Sequence, residues 1–268
     1  MASPRVSLAT GLAALCTFVF AGAARAGSIQ EVYDCAARNL PPTAHAHAKL
    51  TTTVKGGAPH TTLLEYWSQT APEGARDVKI ARKDAKAGEV AAYLVSDGDA
   101  IGEAWAYTSG QPKAARIETA GREVKLFDSN LSLEDFARFA RVLFPGQVRR
   151  LDDADLGGRK AFVVETRPAA DGGSEYSRIV TSIDKQWCNV IRRESYETAF
   201  EKGEKPRKVY SVDPADVKTD GGFNNPHRAR QEDAKDGSTT QMEVLDIELP
   251  AKLDDSTFAP DALPRAAR

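Results

Sequence analysis

The sequence predicts a mainly β protein of the α+β class, and three observations support this fold class. Segments of strand length alternate with clusters of turn-forming residues, and no helical pattern separates the early segments, which favours an antiparallel arrangement. One amphipathic helix interrupts the strands in the middle of the chain. The composition, 28% charged and 41% hydrophobic over 268 residues, is that of an ordinary soluble globular chain.

The first 26 residues have the features of a signal peptide. A short positive start through Arg5 precedes apolar or small residues at 6–24, and the segment 24–26 fits the small-x-small cleavage rule. We therefore expect cleavage after Ala26 and one exported domain over residues 27–268, because no linker or fixed-period repeat divides the rest of the chain. A single-pass membrane anchor is the alternative, although no stop-transfer charge cluster follows the apolar run.

Removal of this segment leaves two cysteines, Cys35 and Cys188. An even pair in an exported chain predicts a disulfide bond. Such a bond would close a long loop and could stabilise the fold by up to about 5 kcal/mol in the chain-entropy model. Two unrelated buried thiols are the alternative, and neither cysteine has the features of a catalytic thiol.

A short helix and a run of strands are predicted in the N-terminal half. Ser28 can cap a helix over residues 29–39, which the prolines at 41 and 42 end. The strands predicted next are, in order, 45–54, 61–69, 77–83, 89–95 and 101–108. The last of these has a face of small residues that includes Ala104 and Ala106, which predicts close packing of a helix or, less favoured, contact with a ligand.

The central helix is predicted to begin at Ser132, because an acid, Asp135, follows three residues later as in a capping box. Apolar residues then recur at helical spacing: Phe136, Phe139, Ala140 and Leu143. Arg138 is expected to face away from this apolar side. We expect the helix to cover one face of the sheet or, more specifically, the mouth of a cavity.

Further strands are predicted in the C-terminal half, at 160–167, 176–184, 187–196, 207–213 and 239–249. The acidic pairs at 152–153 and 254–255 are interpreted as solvated turns, and the arginine pairs at 149–150 and 192–193 as outward strand residues. The terminal segment around Phe258 is interpreted as a lock on the sheet rather than a further domain.

No catalytic constellation is visible in the sequence. It contains no nucleophile elbow, phosphate loop, dinucleotide fingerprint or Cys-x-x-Cys pair. His45 and His47 point to one side of a predicted strand and could bind a metal, but no acid or cysteine close in the sequence completes a set, so we predict neither metal nor cofactor. A net charge of −2 provides no basic patch for nucleic acid. These features favour a protein that holds a ligand over an enzyme.

Several segments, taken in order, form a pattern: residues 130–136, 176–184, 191–196, 207–208, 237–244 and 253–258. Together they resemble a known family, the LolA-like outer-membrane lipoprotein-sorting proteins of bacterial periplasms (the LolA/LolB superfamily). Residues 34–41 together with Cys188 are similar to a cysteine-containing branch of that family. The sequence departs from the family at Leu133 and over residues 107–117, so the type of ligand is left open.

The resemblance implies an incomplete antiparallel β-barrel with lid helices over a hydrophobic cavity. It implies a periplasmic, non-catalytic carrier that binds lipid or the acyl chains of lipoproteins and moves them between the inner and outer membranes. The expected partners are that cargo, an inner-membrane transporter and, transiently, a membrane, and we expect a monomer. An envelope lipid sensor or interaction protein on the same scaffold is the alternative, and a secreted hydrolase with an unrecognised site is a third hypothesis.

Lipid-binding residues follow from this expectation. The central helix would contact the cargo through Phe136, Phe139 and Leu143. The sheet would contribute the aromatic residues Trp67, Tyr93, Trp105 and Phe127. Burial of an acyl chain stabilises a complex by about 0.8 kcal/mol per CH₂ group, and its release would require a helix that is held only loosely.

Overall fold

Antiparallel strands dominate the computed structural model, as the sequence predicts. The structure describes residues 28–70, 76–96, 103–118, 123–139, 146–169, 174–197 and 205–267. The predicted signal peptide, residues 1–26, lies outside these ranges. Within them the α-helices are α1 (Ile29–Arg38), α2 (Leu133–Phe139) and α3 (Leu263–Ala266). None of the helices in the described ranges has the length and apolar character needed to cross a membrane.

The strands predicted from the sequence are present, with ends that differ by a few residues. Their bounds, with those of the additional short strands, are β1 Thr43–Thr53, β2 His60–Thr70, β3 Arg76–Arg82, β4 Val90–Ser96, β5 Glu103–Thr108, β6 Ala115–Ile117, β7 Gln147–Leu156, β8 Arg159–Arg167, β9 Arg178–Asp184, β10 Val190–Tyr196, β11 Lys208–Ser211, β12 Val217–Asp220, β13 Phe223–Pro226, β14 Arg228–Asp233 and β15 Ser238–Glu248.

Thirteen of these strands form one sheet, in the order β6-β5-β4-β3-β2-β1-β15-β14-β11-β10-β9-β8-β7, and β12 pairs with β13 separately. The first and last long strands meet in the middle, where β1 pairs with β15 from His45 opposite Glu248 to Thr53 opposite Thr239. A meander from the N-terminal half therefore lies on one side of this seam, and strands from the C-terminal half lie on the other. The sheet curls without closing, which confirms the incomplete barrel.

One edge of the sheet corrects a sequence prediction. Asp152 and Asp153 were expected in a turn, but they lie within β7, which pairs with β8. The register between the two strands shifts between Leu151 and Ala154, so the acidic pair occupies a β-bulge. The charged residues of this strand hide the alternating pattern that would have predicted it.

The two faces of the sheet pack against different segments. We call inner the face that carries Leu50 and Leu64, which pack with Phe136 of α2. On the opposite, outer face, Tyr107 packs with Phe258 and α3. The C-terminal segment thus covers the outer face, which confirms its interpretation as a lock.

Helix α1 is bonded covalently to the connection between β9 and β10. Ser28 caps the helix, as predicted, and its Oγ accepts a hydrogen bond from the Glu31 backbone N–H. Val32 packs against Val164 of β8 and Ile183 of β9. Cys35 is bonded to Cys188, with the two Cα atoms 5.1 Å apart, which confirms the predicted disulfide.

The N-terminus of helix α2 is held by a buried carboxylate. The Ser132 Oγ accepts a hydrogen bond from the Asp135 N–H at 3.1 Å, and the Asp135 carboxylate accepts one from the Ser132 N–H at 2.9 Å, which confirms the capping box. The same carboxylate accepts hydrogen bonds from Lys208 Nζ (2.6 Å), Tyr176 Oη (2.6 Å) and Gln231 Nε2 (2.9 Å). Strands β11 and β14 and the segment before β9 therefore meet at one side chain.

The Asp135–Lys208 pair is ionised inside the protein. Burial acts to raise the pKa of Asp135, but the Lys208 ammonium and the surrounding hydrogen bonds bring that pKa below its usual value. Burial acts to lower the pKa of Lys208, but Asp135 and Glu175 raise it above its usual value. Both directions agree, because each charge stabilises the other where water does not reach.

A second ion pair, between Glu134 and Arg138, also holds α2. The positions of Arg138 and Arg193 correct two predictions. Arg138 was expected to face away from the sheet, but it is 2% exposed and forms an ion pair with Glu134, which is also buried. Arg193 was expected to point outward from β10, but it is buried and donates a hydrogen bond to the Arg138 carbonyl at 3.1 Å. Arg193 reaches a carbonyl 55 residues away, and Arg138 also donates a hydrogen bond to Ser174 Oγ, 36 residues away, so the local pattern could not place either guanidinium inside.

Serine at both cysteine positions (Cys35→Ser with Cys188→Ser) is expected to lower the free energy of unfolding by about 2–5 kcal/mol. The disulfide closes a loop of 153 residues, and its loss increases the conformational entropy of the unfolded chain. Urea unfolding of the oxidised protein and the double variant measures the difference. The reduced wild type is the control and should unfold with the variant; coincident midpoints for all three samples would contradict the prediction.

Asp135→Asn is expected to lower the free energy of unfolding by about 3–5 kcal/mol, because the buried Lys208 ammonium loses the carboxylate it contacts at 2.6 Å and keeps only the Glu175 carboxylate, 3.7 Å away. The double variant Asp135→Leu with Lys208→Met removes both charges and should recover much of that loss. Thermal unfolding of the variants measures both effects. Asp155→Asn, at an exposed pair with Lys160, is the control and should leave the melting temperature almost unchanged.

The same pair predicts a pH dependence. Because the pKa of Asp135 is lowered in the folded state, its stabilisation is complete above about pH 4 and is lost as the pH falls through the lowered value. Asp135→Asn should therefore flatten the acid limb of a plot of stability against pH. An acid limb of unchanged steepness in the variant would refute this assignment.

Candidate functional site

A cavity of about 290 Å³ lies against the inner face of the sheet and is partly open to solvent. Its volume is at the lower end of the roughly 300–1,000 Å³ range of small-molecule sites. Strands β1, β2, β3, β10, β11, β14 and β15 line it, together with residues of α1, α2 and the segment that precedes α2. Apolar side chains make up most of this lining.

Three alanines of one strand form the floor of the cavity. Ala44, Ala46 and Ala48 alternate along β1, so their methyl groups point to the same side, and all three line the cavity. Ala46 lies opposite Tyr66 of β2 and Ile247 of β15, which form larger walls on either side. The hollow exists because the central strand carries the smallest side chains. The alternate alanines at 44, 46 and 48 are the feature of the sequence that could have predicted this hollow. The face of small residues predicted from the sequence lies instead near residue 104.

One end of the cavity is closed where α1 ends. Asn39 Nδ2 donates hydrogen bonds to Asn189 Oδ1 and to the Asn224 carbonyl, both at 2.9 Å. The Asn224 N–H donates to Asn39 Oδ1 at 2.8 Å. Together with the neighbouring Cys35–Cys188 bond, these amides tie α1 to the β9–β10 connection and to the hairpin of β12 and β13.

The other end is closed by α2 and by the segment before it. Phe136 lines the cavity and packs edge-on against Tyr66, with the ring centroids 6.0 Å apart. Phe127 also lines the cavity and packs edge-on against Tyr93, with the centroids 5.4 Å apart. The expectation of a loosely held lid is wrong for the first turns of α2, because the buried charges around Asp135 and Glu134 anchor that end of the helix.

Charged groups interrupt the apolar lining. Arg193 of β10 and Arg76 of β3 contribute to the wall. Burial, followed by the nearby Arg138 charge, lowers the pKa of Arg193 to about 10, so this guanidinium is protonated at neutral pH. A positive charge therefore lies beside a largely apolar space.

The predicted lipid-binding residues fall into four groups, of which the two tryptophans form the last. Phe136 and Phe127 line the cavity. Tyr93 packs behind Phe127 in the inner core, where burial raises its pKa to about 12. The side chain of Phe139, the last residue of α2, and the whole of Leu143 lie outside the described part of the chain.

Trp67 and Trp105 do not line the cavity, which corrects their proposed role. Strand residues alternate between faces, and Tyr66 and Ala104 belong to the inner core, so the two tryptophans lie on the outer face under the C-terminal segment. Trp67 also has Lys79 Nζ 4.1 Å from its ring centroid, and burial lowers the pKa of that lysine to about 8. The size of these aromatic side chains predicted burial, but the sequence did not reveal which face they occupy.

The histidines of β1 have an acidic neighbour, Glu65, that the sequence pattern did not predict. Glu65 of β2 lies next to both imidazoles, with its Oε1 at 2.9 Å from His45 Nε2 and 3.9 Å from His47 Nε2. The strand register places Glu65 opposite His47 although the two residues are distant in the sequence. The expectation that no acid completes this set is therefore wrong.

Solved structures share this fold at low sequence identity. A DUF1329 family protein from Desulfovibrio piger superposes with a TM-score of 0.73 at 18% identity, covering 88% of this chain and 98% of that chain. An outer membrane lipoprotein-sorting protein domain from Vibrio parahaemolyticus gives 0.74 at 16% identity over 88% and 98% of the two chains. A LolA superfamily protein from Nitrosomonas europaea gives 0.67 at 16% identity over 89% and 100%.

At the sequence level, no curated protein matches this chain. Residues 84–265 match a family model that is described only as an uncharacterized protein family. The matched range covers more than half of the chain, from the end of β3 through α3. The chain therefore belongs to this family. Its fold is the one shared by the solved structures above, in agreement with the fold that the resemblance in its sequence implies.

Proposed function

We propose that this protein is a periplasmic carrier that holds a lipid, or the acyl chains of a lipoprotein, in the cavity on the inner face of the sheet. The observation that supports the proposal most directly is the alanine floor of β1 beneath an apolar, partly open space. The proposed carrier is residues 27–268, released from a signal peptide that is cut after Ala26. It acts by binding and transfer and catalyses no reaction.

The physical basis of binding is the removal of an acyl chain from water. Each CH₂ group that enters the cavity contributes about 0.8 kcal/mol. Arg193 and Arg76 supply positive charge near the apolar floor, which suits cargo that carries a polar or anionic group at the end of its chains. A cavity of about 290 Å³ fits acyl chains and excludes a folded protein, so the protein part of a lipoprotein would remain outside.

The anchoring of both helices determines how cargo exchanges. Because α1 is tied by the disulfide and α2 by buried ion pairs, we propose that chains enter and leave through the open side of the cavity while the first turns of α2 stay in place. Transfer would then occur by direct contact with a membrane, an inner-membrane transporter or an acceptor. The Vibrio parahaemolyticus neighbour is described as a lipoprotein-sorting domain, which supports this class of cargo.

Filling the cavity is expected to abolish binding. Phenylalanine at the floor, in Ala46→Phe or Ala48→Phe, occupies the space that the alanines leave open, so a dansyl-labelled fatty acid and a synthetic acylated peptide should bind at least about tenfold more weakly. Fluorescence titration of the purified variants measures the affinity. Leu63→Phe is the matched control, because Leu63 lies on the neighbouring strand with 56% of its side chain exposed and should bind both probes normally.

Extraction of the native protein provides an independent test. Protein isolated from the periplasm should yield stoichiometric lipid or acylated peptide in an organic extract analysed by mass spectrometry. An empty protein that also binds neither probe would refute the proposal. If cargo is bound but does not pass between donor and acceptor vesicles, the protein is a sensor on the same scaffold and the carrier role is wrong.

A further inference from the structure

The outer face of β1, opposite the alanine floor, carries a compact cluster of potential metal ligands. One ligand atom from each of His45, His47 and Glu65 lies within 4.8 Å of the other two. All three residues are partly buried, with the Glu65 side chain 14% exposed. Two adjacent strands hold them, so the cluster is part of the rigid sheet and does not depend on a loop.

The distances match those that a small divalent cation requires. Ligand bonds of about 2.0–2.2 Å to nitrogen and oxygen place the donors of a tetrahedral zinc site about 3.3 Å apart. The separations of Glu65 Oε1 from His45 Nε2, 2.9 Å, and from His47 Nε2, 3.9 Å, lie on either side of this value. All three ligand atoms lie within 4.8 Å of one another, so side-chain rotations would have to bring them to about 2 Å from one ion.

A carboxylate behind the cluster orients one of the imidazoles. His47 Nδ1 lies 2.8 Å from the Asp246 carboxylate of β15, and a proton on this nitrogen leaves the lone pair of Nε2 directed towards Glu65. Histidines that bind metals usually donate their second ring N–H to a carboxylate in this way. His45 is held differently, because its ring stacks on Trp67 with the centroids 5.4 Å apart.

The third ligand, the Glu65 carboxylate, is also oriented for binding a cation. Lys83 Nζ lies 2.8 Å from Glu65 Oε2, which leaves Oε1 directed towards the imidazoles. Burial acts to raise the pKa of Glu65, but hydrogen bonds from Lys83 and His45 bring that pKa below its usual value, so the carboxylate is ionised. Ligating carboxylates are typically hydrogen-bonded by such partners.

Other histidines in the described part of the chain lack this arrangement. His227 Nε2 lies 2.9 Å from Asp220 Oδ2, a pair that resembles His45 with Glu65, but it belongs to no cluster of three ligands. His60 contacts the Thr62 hydroxyl. A simple histidine–carboxylate pair is therefore present elsewhere in the protein for direct comparison.

We propose that His45 Nε2, His47 Nε2 and Glu65 Oε1 bind a divalent transition-metal cation of the Zn²⁺ class, and that Asp246 orients His47 from behind. Two imidazoles with one carboxylate are a typical zinc ligand set, and a fourth position remains for water or another ligand. The cation would take the place of the proton between His45 Nε2 and Glu65 Oε1, and the neutral imidazole would then carry its proton on Nδ1. It would also link β1 to β2 directly behind the cavity floor.

Zinc binding by the untagged protein tests the proposal. After treatment with a chelator and buffer exchange, isothermal titration with Zn²⁺ alone should show one saturable site, and thermal unfolding should shift upward with Zn²⁺. His47→Gln and Glu65→Gln should each weaken binding at least about tenfold, whereas Asp246→Asn should weaken it about 10–100-fold while leaving the three ligands in place. His227→Gln is the matched control and should bind like the wild type.

Two results would overturn the assignment. One is a titration without a saturable site of unit stoichiometry. The other is binding that survives in both His47→Gln and Glu65→Gln, because the ion would then lie elsewhere. Circular dichroism and the melting temperature of the metal-free variants check that each is folded; the partial exposure of all three side chains makes loss of the fold an unexpected result.

Discussion

The buried carboxylate of Asp135 is the interaction on which the arrangement of the site depends. Within the described residues α2 is only seven residues long, and a helix of that length is not stable alone in water. It persists because its first turn provides one acid to which Lys208, Tyr176 and Gln231 donate hydrogen bonds from three parts of the chain. With α2 in place, Phe136 covers the inner face and the curled sheet acquires a bounded cavity.

Strand β1 serves two surfaces because its side chains alternate. Alanines at 44, 46 and 48 form a hollow on the inner face, and the intervening His45 and His47 stand on the outer face beside Glu65. β1 also lies at the seam between the two halves of the sheet, where it pairs with β2 and β15. A shift of the β1 backbone would therefore move both the alanine floor of the cavity and the two histidines.

Local signals in the sequence predicted the local features of this fold. Turn clusters and alternation predicted the meander, and the spacing of Ser132 and Asp135 predicted the start of α2. The even pair of cysteines that remains outside the predicted signal peptide was sufficient to predict their pairing. Each of these features depends on neighbouring residues or on a very small set of possible partners.

The features that the sequence did not reveal depend on residues far apart in the chain. Glu65 meets the histidines through the register of β1 and β2, and the buried Arg138 donates a hydrogen bond to Ser174, 36 residues away. The resemblance made Trp67 and Trp105 candidates for the cavity wall, with burial in the core as the alternative, but the face that they occupy depends on which segment covers it. Composition and residue spacing do not show which segment covers a given face of the sheet.

The open form of the sheet has a consequence for how copies of the chain meet. A barrel that does not close keeps two edge strands, and an exposed edge can pair with another molecule and start aggregation. Here β6 has only three residues, and β7 carries the bulge with Asp152 and Asp153 among further charged side chains. A short edge on one side and a bent, charged edge on the other are poor templates for strand addition. In the described part of the chain, neither edge of the open sheet therefore favours pairing with a second copy.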